Sequence, residues 1–252
     1  MTYESELRPC WRKIFSFNWK FGLFLILIIC VPRFFLVLQG NESANMQYVG
    51  LLMVISAFTP IVFLSRYGRR EIGIRKPTNK PWLIMALITG SIFSIMLHYL
   101  GETLYGSTYN NWFYYIGESY NIPNEIDHQS KLVMFAISAL IAITFSPIGE
   151  ELFFRGIVHS SFANSLGHRK ASLIDSSAFA IVHISHFGLV FHNQRWEFLW
   201  VPTLIWVISM FTLSIIFFTF RKRTGSILGA ILCHAAFNLG MTYYIFYSLA
   251  GS

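Results

Sequence analysis

The run Gly149-Glu150-Glu151-Leu152-Phe153-Phe154-Arg155-Gly156 puts two adjacent carboxylates and a guanidinium inside an otherwise apolar stretch. A charge at bilayer depth costs at least ~2.5–3.5 kcal/mol even on a lenient insertion scale, so these groups need partners, water or a chemical task. On a helix, Glu151 and Arg155 are four positions apart and share a face, which lets them pair. Glu150 lies roughly 100° further round the axis. One carboxylate is then neutralised by arginine while the other faces a different environment. A desolvated carboxylate against apolar walls is a stronger base than one in water, so this division suits general acid–base work. Pro147 and Gly149, just upstream, permit a helix break, which would open space at membrane depth. The simpler alternative is a buried Glu–Arg pair that only fixes helix packing.

Two further apolar segments carry polar groups. Phe179-Ala180-Ile181-Val182-His183 places an imidazole well inside its segment, with His186 three residues on as a secondary candidate. His234-Ala235-Ala236-Phe237-Asn238 puts imidazole and carboxamide on one helix face. Counting 1.5 Å per residue from the nearest basic loop, His234 lies roughly 17 Å deep and His183 roughly 18 Å, whereas Glu150 on a straight helix lies roughly 25 Å deep. The histidines match in depth, as a shared site requires, and Glu150 needs a bend to join them. Taken alone, His183 is more simply a satisfied core histidine. Asp175 reads as a charge near a helix N-terminus. Arg33, beside Pro32, can snorkel or pair. His98, His128, His159, His168 and His192 lie near loops or segment ends and receive no role.

The elements that must position these groups are membrane helices. The 252 residues are 54% hydrophobic and 12% charged, with mean hydropathy +0.52. A soluble domain carries about 25% charged residues, and here the apolar excess is gathered into long runs. Seven spans are predicted: Phe21–Leu38, Val49–Leu64, Trp82–Leu100, Leu132–Ile148 running on into the Glu-Glu motif, Leu173–Phe191, Phe198–Phe220 and Ile227–Leu249. The fold class is therefore all-α, a polytopic transmembrane bundle of about seven spans. Residues 1–252 read as one integral-membrane domain, and the first span is retained rather than cleaved as a signal.

Charge in the loops orients the chain. Arg8, Arg12, Lys13 and Lys20 precede the first span, and six Lys or Arg lie between Arg66 and Lys80. Arg169 and Lys170 follow the motif, and Arg221, Lys222 and Arg223 precede the last span. All fall on one side, and the other side holds mainly Glu and Asp. By the positive-inside rule the N-terminus is cytoplasmic and the C-terminus outside. The net charge of +7 is a topology signal, because no basic stripe for nucleic acid exists. Cys10, Cys30 and Cys233 are scattered and imply no disulfide framework or zinc knuckle. The outer loop Gly101–Ser130 is rich in Tyr and Trp and is expected to lie on the headgroups, with a substrate lid as the minority alternative.

Pro147-x-x-Glu150-Glu151-x-x-Phe154-Arg155-Gly156, then Phe179-x-x-x-His183, then Thr224-Gly225-Ser226-x-x-x-Ala230-x-x-x-His234-x-x-x-Asn238 resemble the three motifs of the CPBP intramembrane endopeptidases. This family includes the type II CAAX prenyl proteases and the bacterial Abi group of bacteriocin-processing and self-immunity proteins. The resemblance covers residues 147–238. It implies a glutamic-type protease whose water-filled cavity opens towards the cytoplasm. Glu150 would activate water with help from His183, and His234 and Asn238 would hold the oxyanion. Glu151 and Arg155 would support that geometry, with Phe179 completing the second motif.

No cofactor is the first expectation. The types Glu150, His183 and His234 also suit zinc, so a metal stays open. The expected partners are the bilayer and a peptide or lipidated-peptide substrate, with no nucleic acid. The compact length points to a bacterial cytoplasmic membrane, and to leader peptides or bacteriocins over prenylated tails. Two other classes compete. One is a non-catalytic scaffold or immunity protein that binds a peptide or membrane partner. The other is a proton-coupled transporter, disfavoured because paired broken segments are missing.

Overall fold

A computed structural model describes residues 5–43, 45–123 and 125–249. Long apolar runs fold as helices because a lipid-exposed backbone must satisfy its own hydrogen bonds. In chain order these are α1 (Trp19–Ser43), α2 (Gln47–Phe63), the short α3 (Arg66–Glu71), α4 (Pro81–Tyr105), α5 (Trp112–Glu118), α6 (His128–Glu150), α7 (His159–Leu166), α8 (His168–Val182), α9 (Trp200–Thr224) and α10 (Ile227–Tyr244). A π-helical segment, Glu151–Val158, joins α6 to α7, so that His128–Leu166 is one continuous rod of 39 residues. α10 packs against α4, α6 and α9, α8 lies between α7 and α9, and α2 lies along α6.

Among the described residues, five helices are long and apolar enough to cross a membrane: α1, α4, the α6–α7 rod, α9 and α10 with its final turn. α2 is apolar but shorter, at 17 residues. The expected span Leu173–Phe191 is interrupted. α8 stops at Val182, a 3₁₀ turn covers His183–Ser185, and an antiparallel hairpin follows, β1 (Leu189–His192) with β2 (Arg195–Phe198). A glycine leads the chain from the turn into the hairpin. Gly188 sits at φ +131°, a conformation that favours glycine.

The break that the sequence permits at Pro147 does not occur. α6 runs through it, and the irregularity appears at the π segment beginning at Glu151. Gly149 serves a close approach instead: a Cβ there would meet the Met53 carbonyl oxygen of α2 at 2.5 Å.

The basic loops gather at one end of the bundle. The Arg8 N–H donates to the Phe63 carbonyl at 2.9 Å and Thr78 N–H to the Thr224 carbonyl at 2.9 Å. Trp19 N–H donates to Ser165 Oγ at 3.1 Å. At the opposite end, the aromatic loop does not lie on a surface. Its helix α5 is plugged into the bundle: Trp112, Phe113 and Tyr115 are buried. Trp112 stacks on Trp206 and meets Phe187 edge-on, and Tyr115 Oη accepts from Phe191 N–H at 2.9 Å. Large rings gain more from packing against helix ends than from partial burial among headgroups.

Candidate active site

The three polar segments meet. Glu150 ends α6, His183 caps α8, and His234 and Asn238 lie on α10. All four line one cavity of about 180 Å³ together with Arg33, Ser146 and His186. Glu150 and His234 are only 2% and 3% exposed.

The two adjacent carboxylates have separate surroundings. Glu151 pairs with Arg155 at 3.2 Å and accepts from His234 Nδ1 at 2.8 Å. The Arg155 guanidinium lies over the face of Phe179 at 4.2 Å and of Phe217 at 5.1 Å, a cation–π sandwich closing the back of the site. Glu150 faces the cavity. Its Oε1 accepts from Arg33 Nη2 at 3.0 Å and from Ser146 Oγ at 2.6 Å. Its Oε2 has no hydrogen-bond partner among the described residues and lies 3.8 Å from His183 Nε2. That separation is too long for a direct hydrogen bond and suits a bridging water.

Backbone geometry sets the histidine. His183 Nδ1 lies 2.6 Å from the Phe179 carbonyl oxygen. A carbonyl only accepts, so Nδ1 carries the proton and the lone pair of a neutral ring is on Nε2, towards Glu150. The Phe179-x-x-x-His183 spacing is thus the reach from a helix C-terminus back to the carbonyl four residues earlier. Trp206 Nε1 fixes the same turn by donating to the His183 carbonyl at 3.0 Å. For His234, Glu151 occupies Nδ1 and leaves Nε2 for the cavity, while its ring stacks on Phe217 at 4.6 Å. Asn238 Nδ2 donates to the Ala142 carbonyl at 3.0 Å, which ties α10 to α6.

The Thr224-Gly225-Ser226 stretch builds the turn that starts the His234 helix. Gly225 adopts φ +69° to end α9, and Ser226 Oγ accepts from Leu228 N–H at 3.3 Å to begin α10.

Sequence reasoning gave three residues of this site no catalytic part. Of the two readings open to Arg33, snorkelling and pairing, the structure shows pairing: it is the ion-pair partner of Glu150. His186 lies 3.4 Å from Arg33 Nη2 and lines the cavity. Ser146, one turn before Glu150, was not singled out. The available signal was the arginine itself, since a lone charge inside an apolar helix needs a counter-charge nearby. Asp175 was also misjudged. It is no helix-end charge but is fully buried, 2.6 Å from His159 Nδ1, away from the cavity.

Glu150, His183 and His234, the residues that would hold a zinc ion, line the cavity together with Arg33. Among the described residues no three His, Cys, Asp or Glu side chains gather to hold a metal ion. The histidines are oriented well enough, but the Arg33 guanidinium lies 3.0 Å from Glu150 and would repel a divalent cation there.

Residues 132–240 match the family model described as type II CAAX prenyl endopeptidase Rce1-like. This segment of the chain is similar to that family. Ser146, Glu150, Phe179, His183, His234 and Asn238 fall inside the matched segment, and Arg33 and Met241 fall outside it. Neither the curated proteins nor the solved structures include a match to the chain. The CPBP resemblance is thus matched, over this segment, by a family model of endopeptidases, in a helical chain with long apolar helices.

Proposed function

We propose that the chain is an intramembrane peptidase that hydrolyses a membrane-presented peptide bond with water activated by Glu150. The observation that carries this reading is the 3.8 Å gap between Glu150 Oε2 and His183 Nε2 on the wall of a cavity shared with His234 and Asn238. A water in that gap donates one proton to Glu150 and the other to His183, and its lone pair faces the cavity. As the water attacks the scissile carbonyl, Glu150 takes its proton. Nε2 of a protonated His234 and the second amide hydrogen of Asn238 are the donors for the oxyanion. On collapse Glu150 returns the proton to the departing amine, so no net charge is left behind. Arg33 and Ser146 hold Oε1 and thereby aim Oε2. Glu151 and Arg155 hold His234 from behind.

The access route departs from the cytoplasm-facing cavity that the resemblance implies. The cavity continues into a groove of about 490 Å³ lined by Met46, Gly50, Ser138, Ile141 and Phe145. Met46 and Gly50 lie at the start of α2, at the end away from the basic loops, and Ser138, Ile141 and Phe145 lie along the middle of α6, where Ile141 and Phe145 are exposed on the outer surface of the bundle. Ile116 of the plugged α5 lines both cavity and groove. With the basic loops cytoplasmic, as the positive-inside rule expects, substrate enters sideways from the outer leaflet, with α5 as its roof. A bacterial cytoplasmic membrane and a leader peptide or bacteriocin precursor fit that route.

The test compares membrane-peptide profiles from cells carrying the wild type and Glu150→Ala. A precursor that accumulates in the variant identifies the substrate. Retained proteolysis in purified Glu150→Gln sinks the role given to Glu150. A phenotype that survives Glu150→Ala, His183→Ala and His234→Ala points instead to a scaffold or immunity protein.

A further inference from the structure

The basic end of the bundle holds a second built cavity, unconnected with the peptidase residues. A pocket of about 280 Å³ is lined by Arg75, His168, Arg221 and Lys222, with Glu71 as its carboxylate. Through His168, Phe218 and Lys222 it is continuous with a groove of about 810 Å³ whose further walls include Trp82, Ile215 and Arg223. The positive-inside rule accounts for basic residues in these loops but not for their arrangement around a cavity.

Two details are unusual for a mere topology signal. Arg221 donates from Nη2 to Ser160 Oγ at 3.1 Å, yet its Nη1 is buried without a hydrogen-bond partner among the described residues. A buried guanidinium nitrogen left unsatisfied is costly, and an anion in the pocket would relieve it. Arg75 is pinned beside it by donating from Nε to the Gly225 carbonyl at 2.7 Å. Two arginines are thus fixed at one pocket, and Asp175, the nearest buried carboxylate, is engaged by His159 at 2.6 Å.

We propose that this pocket binds the phosphate of an anionic phospholipid, with the acyl chains along the Trp82–Ile215 groove. The occupant follows from chemistry and position. The cationic floor matches a phosphate, the adjoining wall is apolar, and the pocket lies where the helices leave the membrane. Basic pockets between helices at that level are suited to acidic headgroups. The Arg223 guanidinium lies 5.0 Å over the Trp82 ring at the groove mouth, which keeps the indole upright as a wall for a chain.

Native mass spectrometry of the detergent-solubilised full chain tests this with three probes: dioleoylphosphatidylglycerol, dioleoylphosphatidylcholine and inorganic phosphate. The expected result is retention of phosphatidylglycerol at least about five-fold tighter than phosphatidylcholine, with no comparable retention of free phosphate. Lys222→Gln, at an exposed position, weakens phosphatidylglycerol binding by about five-fold. Arg221→Gln removes the preference for the anionic lipid, with circular dichroism to confirm folding. Equal retention of the two lipids, or unchanged binding in Lys222→Gln, overturns the site. Free phosphate that binds as tightly as the lipid overturns the lipid assignment.

Discussion

Among the buried carboxylate–histidine pairs of the described residues, Glu150–His183 and Asp175–His159 behave as opposites. At the first, Glu150 faces His183 across 3.8 Å, with Oε2 unpartnered on a cavity wall. At the second, Asp175 contacts His159 Nδ1 at 2.6 Å, His159 Nε2 meets His168 Nδ1 at 3.1 Å, and Ser176 Oγ donates to Asp175 Oδ1 at 3.4 Å. Both pairs are deep and both involve ionisable groups in apolar helices. The difference is an unfilled hydrogen-bonding capacity beside free volume. A satisfied pair with no cavity locks α7 to α8. An unsatisfied pair with a cavity can take up a reactant. Burial of charge marks a place worth inspecting, and it is the geometry around the charge that distinguishes chemistry from packing.

Substitutions can break that comparison. The largest effect is expected for Glu150→Gln. The amide oxygen still accepts from Arg33 and Ser146, so the thermal melt stays close to wild type. Cleavage in proteoliposomes falls by about 10³-fold, as loss of a general base demands. A similar loss of cleavage with an equally large loss of stability would make Glu150 a packing residue like Asp175. His183→Ala and His234→Ala should each lower cleavage by about 10²-fold or more, read in the same assay. Glu151→Gln sits between the two sites. It weakens the hold on both His234 and Arg155, so turnover and melting temperature should fall together.

Asp175→Asn supplies the other arm. It should destabilise the protein by ~1.5–3 kcal/mol in denaturant unfolding, the range for a hydrogen bond to a charged group, with cleavage per folded molecule unchanged. Activity lost without stability lost would place His159–Asp175 in the reaction. The smallest effect expected is that of a strong zinc chelator on cleavage, namely none. Inhibition reversed by added zinc would show that the Arg33–Glu150 pair yields to a metal.

Much of this was legible in the residues. The Glu151–Arg155 pair follows from four-residue spacing, and the all-α membrane class follows from apolar runs that need internal hydrogen bonds. The matched depth of His183 and His234 signalled a shared site. The straight-helix count that puts Glu150 roughly 25 Å deep takes no account of tilt. The α6–α7 rod of 39 residues is roughly 58 Å long, about twice the hydrocarbon thickness, so part of it must tilt or emerge. The aromatic loop misled for a related reason. Composition shows that Trp and Tyr want a partly apolar place, but not whether lipid or protein supplies it.

The sequence by itself determined the membrane class, the clustering of basic loops on one side and the division of labour between neighbouring carboxylates. Those depend on composition and on helical spacing, which are local. Only the tertiary structure decided that Arg33 reaches Glu150 across 117 positions of chain, that the rod bends its hydrogen bonding into a π segment and that α5 roofs the cavity. Those depend on which helix faces meet, and in a bilayer such faces are chosen by close packing and hydrogen bonds, because lipid is as apolar as the side chains and hydrophobicity cannot discriminate between them.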